Sequence, residues 1–145
     1  SETLIKMLEM LIKMLMEKGI HFLPPVQKLR LIYDAQGRKH CILAWDGMII
    51  GRDDEGLDVV IKDEEGRIVR RLGVQDLCVS RCHAMIFFRE GKPWLRVESE
   101  RQGNTQIGFK VGDKIVEIAV QKGEYPLENA SVITLGFTKF EVLIS

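Results

Sequence analysis

The feature that most constrains the fold is a series of short apolar runs, separated by turn-forming clusters, from Leu29 to the end of the chain. Short apolar runs bounded by Gly, Pro, Asn or Asp are typical of β-strands. Many short strands at such spacing predict a β-sandwich of two packed sheets. The predicted strands cover residues 29–33, 40–44, 48–50, 58–62, 67–72, 83–89, 94–98, 106–109, 114–119, 131–135 and 139–144.

The N-terminal part of the chain has a different periodicity. Between Glu2 and Glu17 the charged residues recur in steps of three and four, which places them on one narrow stripe of an α-helix over residues 3–18. The remaining positions are almost all Leu, Ile or Met. Gly19 follows as the predicted C-terminal cap of this helix.

Two adjacent prolines separate the predicted helix from the predicted strands. Pro24 and Pro25 predict a stiff, extended link, because proline fixes its own backbone angle and restricts the residue before it. We therefore predict two parts, residues 1–25 as an amphipathic helix with its Pro-Pro link and residues 26–145 as the sandwich. The predicted fold class is all-β, with about eleven strands preceded by one helix.

Composition and charge narrow the class of protein. The chain has 145 residues, which is about the size of one domain. Its 21 Lys and Arg residues equal its 21 Asp and Glu residues, and this lack of net charge argues against a protein that coats nucleic acid. Three cysteines, an odd and sparse number, do not indicate a secreted disulfide framework, so we expect an intracellular, cytoplasmic protein.

The apolar N-terminal run is not expected to cross a membrane. Lys6, Glu9 and Lys13 interrupt it, and it is shorter than the roughly 20 residues that a bilayer requires. Two roles remain open for this helix. It covers an apolar face of the sandwich, or it packs against another chain through residues 4–16, as a homodimer or with a partner protein.

Three motifs occur in a fixed order within the predicted sandwich. An apolar strand ends in Gly-Arg at residues 51–52, and Ser-Arg-Cys-His-Ala at residues 80–84 enters a second apolar strand. Ile-Thr-Leu-Gly at residues 133–136 then precedes the last strand. In this order the motifs resemble the pattern of the forkhead-associated (FHA) domain family, and the resemblance extends over most of the chain. It implies a β-sandwich that binds phosphothreonine peptides through the loops at one end.

The resemblance implies a role for each matching residue. Arg52 matches the arginine that grips the phosphate, and Ser80 matches the hydroxyl that donates to a phosphate oxygen. Arg81 is implied either as a second cation or as a contact to the peptide backbone. Gly51 and His83 match residues that support the binding loops. These residue types suit a phosphothreonine, since its nearly dianionic group takes bidentate guanidinium and hydroxyl donors.

One loop departs from the family pattern. The resemblance implies an Asn-Gly-Thr sequence in which the Asn holds the peptide backbone, whereas this chain has Gly103, Asn104 and Thr105. Asn104 lies one residue late and takes that role only if the loop shifts. A second departure is the acidic run 53–55 directly after Arg52, which either favours basic residues in the ligand or is simply solvated.

Metal binding and cysteine catalysis are less well supported by the sequence. Cys78, Cys82 and His83, together with His40 and Cys41, lack the paired spacing typical of structural zinc sites, so we expect no metal. Cys41 and Cys82 are predicted to lie within strands as small apolar residues. On a strand, Cys82 and His83 would point to opposite faces, which excludes a nucleophile–base pair.

The predicted function is a phosphothreonine-dependent interaction module, without catalytic residues or a cofactor. Its partner would be a phosphothreonine-containing protein in intracellular signalling or assembly. The alternative is a structural or oligomerisation protein that uses the apolar helix or a face of the sandwich independently of phosphate. In the corresponding interpretation of the motifs, Arg52 forms a surface salt bridge, Ser80 caps a turn and Arg81 is a solvated charge.

Overall fold

The structure is a computed structural model that describes residues 1–19 and 26–145. The predicted Pro24-Pro25 link lies outside the described residues, and the division of the chain at that link stays a prediction. The described ranges contain one helix and twelve strands. The strands are β1 (Leu29–Ala35), β2 (Arg38–Leu43), β3 (Met48–Arg52), β4 (Asp58–Lys62), β5 (Ile68–Gln75), β6 (Ala84–Arg89), β7 (Lys92–Val97), β8 (Thr105–Val111), β9 (Lys114–Ala119), β10 (Gly123–Pro126), β11 (Val132–Leu135) and β12 (Thr138–Ile144).

The N-terminal helix, α1, covers Glu2–Glu17 and confirms the predicted helix. The Ser1 hydroxyl accepts a hydrogen bond from the Leu4 N–H and caps the start of the helix. Gly19 has a φ of 82°, the left-handed conformation that commonly follows the end of a helix. No side chain of α1 is buried, so packing on a face of the sandwich is not observed. Within the described ranges, no helix has the length and apolar character needed to cross a membrane.

The twelve strands form two six-stranded antiparallel sheets, which confirms the predicted β-sandwich. The strand order of the first sheet is β2-β1-β12-β11-β8-β9, and that of the second sheet is β10-β7-β6-β3-β4-β5. Strand β3, which carries the Gly-Arg motif, lies inside the second sheet between β6 and β4. The motif is therefore anchored by paired strands on both sides.

The core lies between the two sheets, and strands such as β1, β7 and β12 contribute alternate residues to it. Phe140 and Val142 of β12 and Leu31 of β1 are fully buried on the inner face of the first sheet. Ile50 of β3 and Leu95 of β7 are fully buried on the inner face of the second. Side chains of successive strand residues point to opposite faces, so in these strands every second side chain enters the core.

Strand β10 was not predicted from the sequence. Its four residues, Gly-Glu-Tyr-Pro, contain no apolar run and end in proline, which argues against a strand. The structure pairs β10 with β7 at the edge of the second sheet. Proline is tolerated on an edge strand, because the missing N–H can face away from the neighbouring strand.

Several connections between strands meet at one end of the sandwich. They are residues 53–57, 76–83, 98–104 and 136–137. The Arg52 N–H donates to the Ser80 carbonyl oxygen over 3.1 Å, and the Gly136 N–H donates to the Asn104 carbonyl oxygen over 2.8 Å. We call this end of the molecule the loop end, and residues 76–83 the central loop.

Candidate functional site

The Gly51-Arg52 pair lies at the end of β3, directly against the central loop. A Cβ atom at position 51 would lie 2.0 Å from the carbonyl oxygen of Arg81. No side chain fits at that distance, so Gly51 permits the close approach of the two backbones. A hydrogen bond from the Arg52 N–H to the Ser80 carbonyl oxygen joins the two backbones at this point.

The guanidinium of Arg52 connects the central loop with the loop that follows β3. Its Nε donates to the Val79 carbonyl oxygen over 3.0 Å, and its Nη1 donates to the Gly56 carbonyl oxygen over 2.9 Å. Its Nη2 has no acceptor among the residues that the structure describes. Arg52 therefore joins two loops with two of its nitrogens and leaves the third without an acceptor in the described residues.

The central loop turns the carbonyl groups of residues 78–81 toward the protein. Arg52 binds two of them, through its Nε and its backbone N–H. The Asn104 side-chain amide binds the first carbonyl over 3.0 Å, and the Lys62 ammonium binds the last over 2.8 Å. Four consecutive carbonyl groups that are all bonded in this way fix the conformation of the loop.

Two N–H groups of the same loop, those of Arg81 and Cys82, have no acceptor in the described part of the chain. The preceding N–H group is engaged, since the Ser80 N–H donates to Nδ1 of His83 over 3.0 Å. Successive backbone N–H groups without protein acceptors form a concave site that attracts anions. The carbonyl groups of residues 78–81 are therefore all bonded within the protein, while two N–H groups of the loop are left for another acceptor.

The Ser80 hydroxyl is positioned by a second serine, Ser99. The two Oγ atoms lie 2.7 Å apart, and either hydroxyl can donate. Ser99 is only 6% exposed, and Ser80 is half-buried. When Ser99 donates to Ser80, the hydroxyl hydrogen of Ser80 is free for a ligand. Ser99 was not predicted from the sequence, because the two serines are 19 residues apart and no motif joins them.

His83 is fully buried beneath the central loop. Its Nδ1 accepts the Ser80 N–H, so its Nε2 carries the hydrogen and donates to the Thr105 hydroxyl over 2.7 Å. Burial lowers the pKa of His83 from 6.5 to about 4, so the ring is neutral at pH 7. With both nitrogens bonded, His83 supports the loop and has no free nitrogen for acid–base chemistry.

Asn104 connects the central loop with two further loops, despite its shifted place in the sequence. Its Nδ2 donates to the Cys78 carbonyl oxygen, and its own carbonyl oxygen accepts the Gly136 N–H. Its neighbour Thr105 is bonded to His83. The Oδ1 atom of Asn104 has no donor among the described residues, so it is available to a ligand N–H.

Two further cations lie near the central loop. Arg81 is exposed and forms no salt bridge with any residue that the structure describes. Arg101 donates from Nη1 to the Leu77 carbonyl oxygen over 3.4 Å, which draws its guanidinium toward the start of the loop. Together with Arg52 they place three guanidinium groups around the central loop, among several carboxylates of the neighbouring loops.

The acidic run that follows Arg52 is partly neutralised within the protein. Asp53 forms a salt bridge of 2.8 Å with Arg71, whose hydrogen bond lowers the pKa of the Asp53 carboxyl. Asp54 lies 3.1 Å from the ammonium of Lys62, which is 6% exposed. These pairs limit the repulsion of an anion. Lys62 was missed in the sequence, where it is only the charged end of an apolar strand.

Asp76 is a buried carboxylate that fixes the start of the central loop. It accepts hydrogen bonds from the Cys78 N–H over 3.0 Å, the Phe137 N–H over 2.8 Å and the Thr138 hydroxyl over 2.7 Å. A Cβ atom at Gly136 would lie 2.9 Å from its carboxylate oxygens. Asp76 therefore joins the central loop to the β11–β12 turn, and it too was missed in the sequence.

The prediction that Cys82 lies within a strand was wrong. Strand β6 begins at Ala84, and Cys82 is exposed in the turn of the central loop. The turn forms before β6 because the central loop closes against β3 through Gly51. The Cys82 thiol does not form a nucleophile–base pair with His83, because both ring nitrogens of His83 are bonded to other groups.

All six residues singled out in the sequence lie at the loop end. They are Gly51, Arg52, Ser80, Arg81, His83 and Asn104. Arg52, Ser80, Arg81 and Asn104 offer groups to a ligand at or beside the central loop. Gly51 and His83 lie against its inner side. The Arg52 Nη2 and the N–H groups of Arg81 and Cys82 have no acceptor in the described residues, and the Ser80 hydroxyl can turn from Ser99 to a ligand; donors of these types suit an oxyanion.

Comparisons with known proteins identify the fold. No protein-family model and no curated protein matches the chain. Among solved structures, the FHA domain of Rv0020c matches with a TM-score of 0.50 and 20% identity, over 82% of this chain and 94% of that chain. This likeness shows that the chain has the fold of an FHA domain.

Two other solved FHA domains match the chain. One, described for its phosphothreonine-dependent interactions, matches with a TM-score of 0.48 and 22% identity, over 81% of this chain and 97% of that chain. The other, the FhaA FHA domain in complex with the intracellular domain of Rv3910, has a TM-score of 0.45 and 22% identity, over 80% and 98% of the two chains.

Proposed function

We propose that the loop end binds a phosphothreonine-containing segment of a partner protein. One observation carries this proposal: three kinds of donor, each without another partner or free to turn outward, lie on or beside a loop whose carbonyl groups are bonded within the protein. They are the Arg52 Nη2, the Ser80 hydroxyl and the N–H groups of Arg81 and Cys82. A group that satisfies them must be rich in acceptors, as a phosphate dianion is.

A peptide phosphate fits this end of the molecule better than a free anion does. Asn104 Oδ1 is an acceptor at the edge of the same loop, and a phosphate dianion has no hydrogen to donate to it. A backbone N–H next to the phosphorylated residue supplies that donor. Arg81, exposed and without an ion pair in the described residues, adds a second cation for the phosphate or for a flanking carbonyl. The preference for threonine over serine follows from the motif resemblance.

We further propose that the chain binds its ligand without chemical change. Phosphate recognition of this kind needs donors and cations, and neither a nucleophile nor a general base. The one histidine of the central loop is neutral and bonded at both nitrogens. The function is then an interaction module, in the intracellular, cytoplasmic setting that stays a prediction from the sequence.

Binding to a degenerate phosphothreonine peptide library tests the proposal, with unphosphorylated and phosphoserine libraries in parallel. Arg52→Ala removes the charge-assisted donor and the clamp on two loops, so we expect affinity to fall at least tenfold. Ser80→Ala removes one hydroxyl donor and is expected to weaken binding roughly fivefold.

Arg30→Ala is the matched control. Arg30 is half-buried like Arg52, but it lies near the start of β1, beside Ser145 and away from the loop end. It should bind as the unmodified chain does. Thermal unfolding of each variant separates loss of the site from loss of the fold. Equal binding of phosphorylated and unphosphorylated peptides by a folded chain would contradict the proposal and favour the phosphate-independent alternative.

A further inference from the structure

Helix α1 has an apolar surface that no described part of the chain covers. Nine of its Leu, Ile and Met side chains are between 42% and 65% exposed. They are Leu4, Ile5, Met7, Leu8, Met10, Leu11, Ile12, Met14 and Met16. A contiguous apolar surface of this kind on a soluble chain marks an interaction site.

The leucines of α1 follow the spacing of a coiled-coil seam. Leu4, Leu8, Leu11 and Leu15 are separated by four, three and four residues, which places them in one row along the helix. This is the a/d repeat of helices that pack side by side, in which each apolar residue inserts between four residues of a neighbouring helix. A row of this kind can pack against the same row of another copy of the chain.

The residues on both sides of the leucine row are also apolar. Ile5 and Ile12 flank it on one side, and Met7 and Met14 flank it on the other. These are the e and g positions, which in two-stranded coiled coils usually carry charged residues. If only two helices paired, both flanks would stay in water, whereas a bundle of three or more helices covers them.

The polar stripe of α1 argues against an anionic membrane surface as the partner of this helix. Along it, Glu2 precedes Lys6 and Glu9 precedes Lys13 at the spacing of favourable i,i+4 pairs. The stripe therefore carries no excess of positive charge with which to attract an anionic membrane surface. The sandwich of the same chain does not bury the helix either.

We propose that α1 assembles with α1 of other copies of this chain into a bundle of three or more helices. The leucine row forms the centre of the bundle, the Ile and Met flanks pack against neighbouring copies, and the polar stripe faces water. The assembly itself is independent of phosphate. If the proposed function also holds, several loop ends on one bundle bind multiply phosphorylated partners with increased avidity.

The mass of the full chain in solution, measured by light scattering and sedimentation from about 5 to 200 μM, tests this assembly. The double substitution Leu8→Gln and Leu11→Gln interrupts the leucine row while keeping a good helix former at both positions. Lys6→Gln and Lys13→Gln, on the polar stripe, introduce the same two side chains and serve as the control.

We expect three or more copies for the unmodified chain and for the lysine control, and a monomer for the leucine variant. A monomeric or dimeric unmodified chain throughout the range would overturn the proposal. Full assembly of the leucine variant would also overturn it. Because mass is measured without any ligand, either result is distinct from a failure of phosphopeptide binding.

Discussion

Acidification below pH 6.5 is expected to destabilise the folded chain through His83. In the unfolded chain this histidine takes up a proton near its ordinary pKa of 6.5, whereas burial holds its pKa near 4 in the folded chain. Between these two values the unfolded state binds more protons than the folded state does. The free energy of unfolding therefore falls as the pH falls through this window, and the contribution of His83 to that fall levels off below pH 4.

The size of the effect follows from the difference between the two pKa values. A shift of about 2.5 pKa units corresponds to about 3 kcal/mol, at about 1.4 kcal/mol per unit. At pH 5 about 2 kcal/mol of this stabilisation is lost, because pH 5 lies about 1.5 units below the pKa of the histidine in the unfolded chain. Carboxyl groups of the unfolded chain, with pKa values of about 4, contribute little above that pH.

Urea unfolding of the full chain at a series of pH values from about 7.5 to 5 measures the slope. His83→Gln removes the titrating group, so this variant should be less stable at pH 7 but show a flatter pH dependence. His40→Gln, a histidine stacked on Tyr33 outside the site, should keep the slope. An imidazole NMR titration that places the pKa of His83 near 6.5, or an unchanged slope in His83→Gln, would refute the reasoning.

Residues that act through the central loop give three further predictions. Ser99→Ala leaves the Ser80 hydroxyl unpositioned and should weaken phosphopeptide binding roughly fivefold, with little change in melting temperature. Lys62→Met leaves the Arg81 carbonyl without its donor and should reduce phosphopeptide affinity, measured by calorimetry, by about tenfold. Asp76→Asn weakens three buried hydrogen bonds and should lower the free energy of unfolding, measured in urea, by about 2 kcal/mol.

The sequence predicted most of the sandwich because its strands are short apolar runs bounded by turn-forming residues. Strand β12 (Thr138–Ile144) shows this pattern clearly, so it is visible without a structure. Strand β10 (Gly123–Pro126) lacks it, and its pairing with β7 (Lys92–Val97) depends on where the edge of the second sheet lies. An edge strand of this kind is fixed by tertiary contacts rather than by its own residues.

Some residues of the candidate site could likewise be predicted from the sequence, and others could not. Gly51, Arg52, Ser80 and His83 occur in the short Gly-Arg and Ser-Arg-Cys-His motifs, which mark them even though Arg52 bonds to a carbonyl 27 residues away. Ser99 and Asp76 lie outside these motifs and act through partners 19 and 62 residues away. Their roles follow only from the folding of distant loops onto the central loop.

The amide NMR spectrum of the full chain, titrated with a phosphothreonine peptide, tests the central claim most directly. We expect the N–H signals of Arg81 and Cys82 to move downfield as they donate to the phosphate, with no such change on adding the unphosphorylated peptide. A Ser80→Ala chain should show smaller shifts at the same peptide concentration. If these two signals stay in place while the phosphopeptide binds elsewhere, the proposed phosphate site is contradicted.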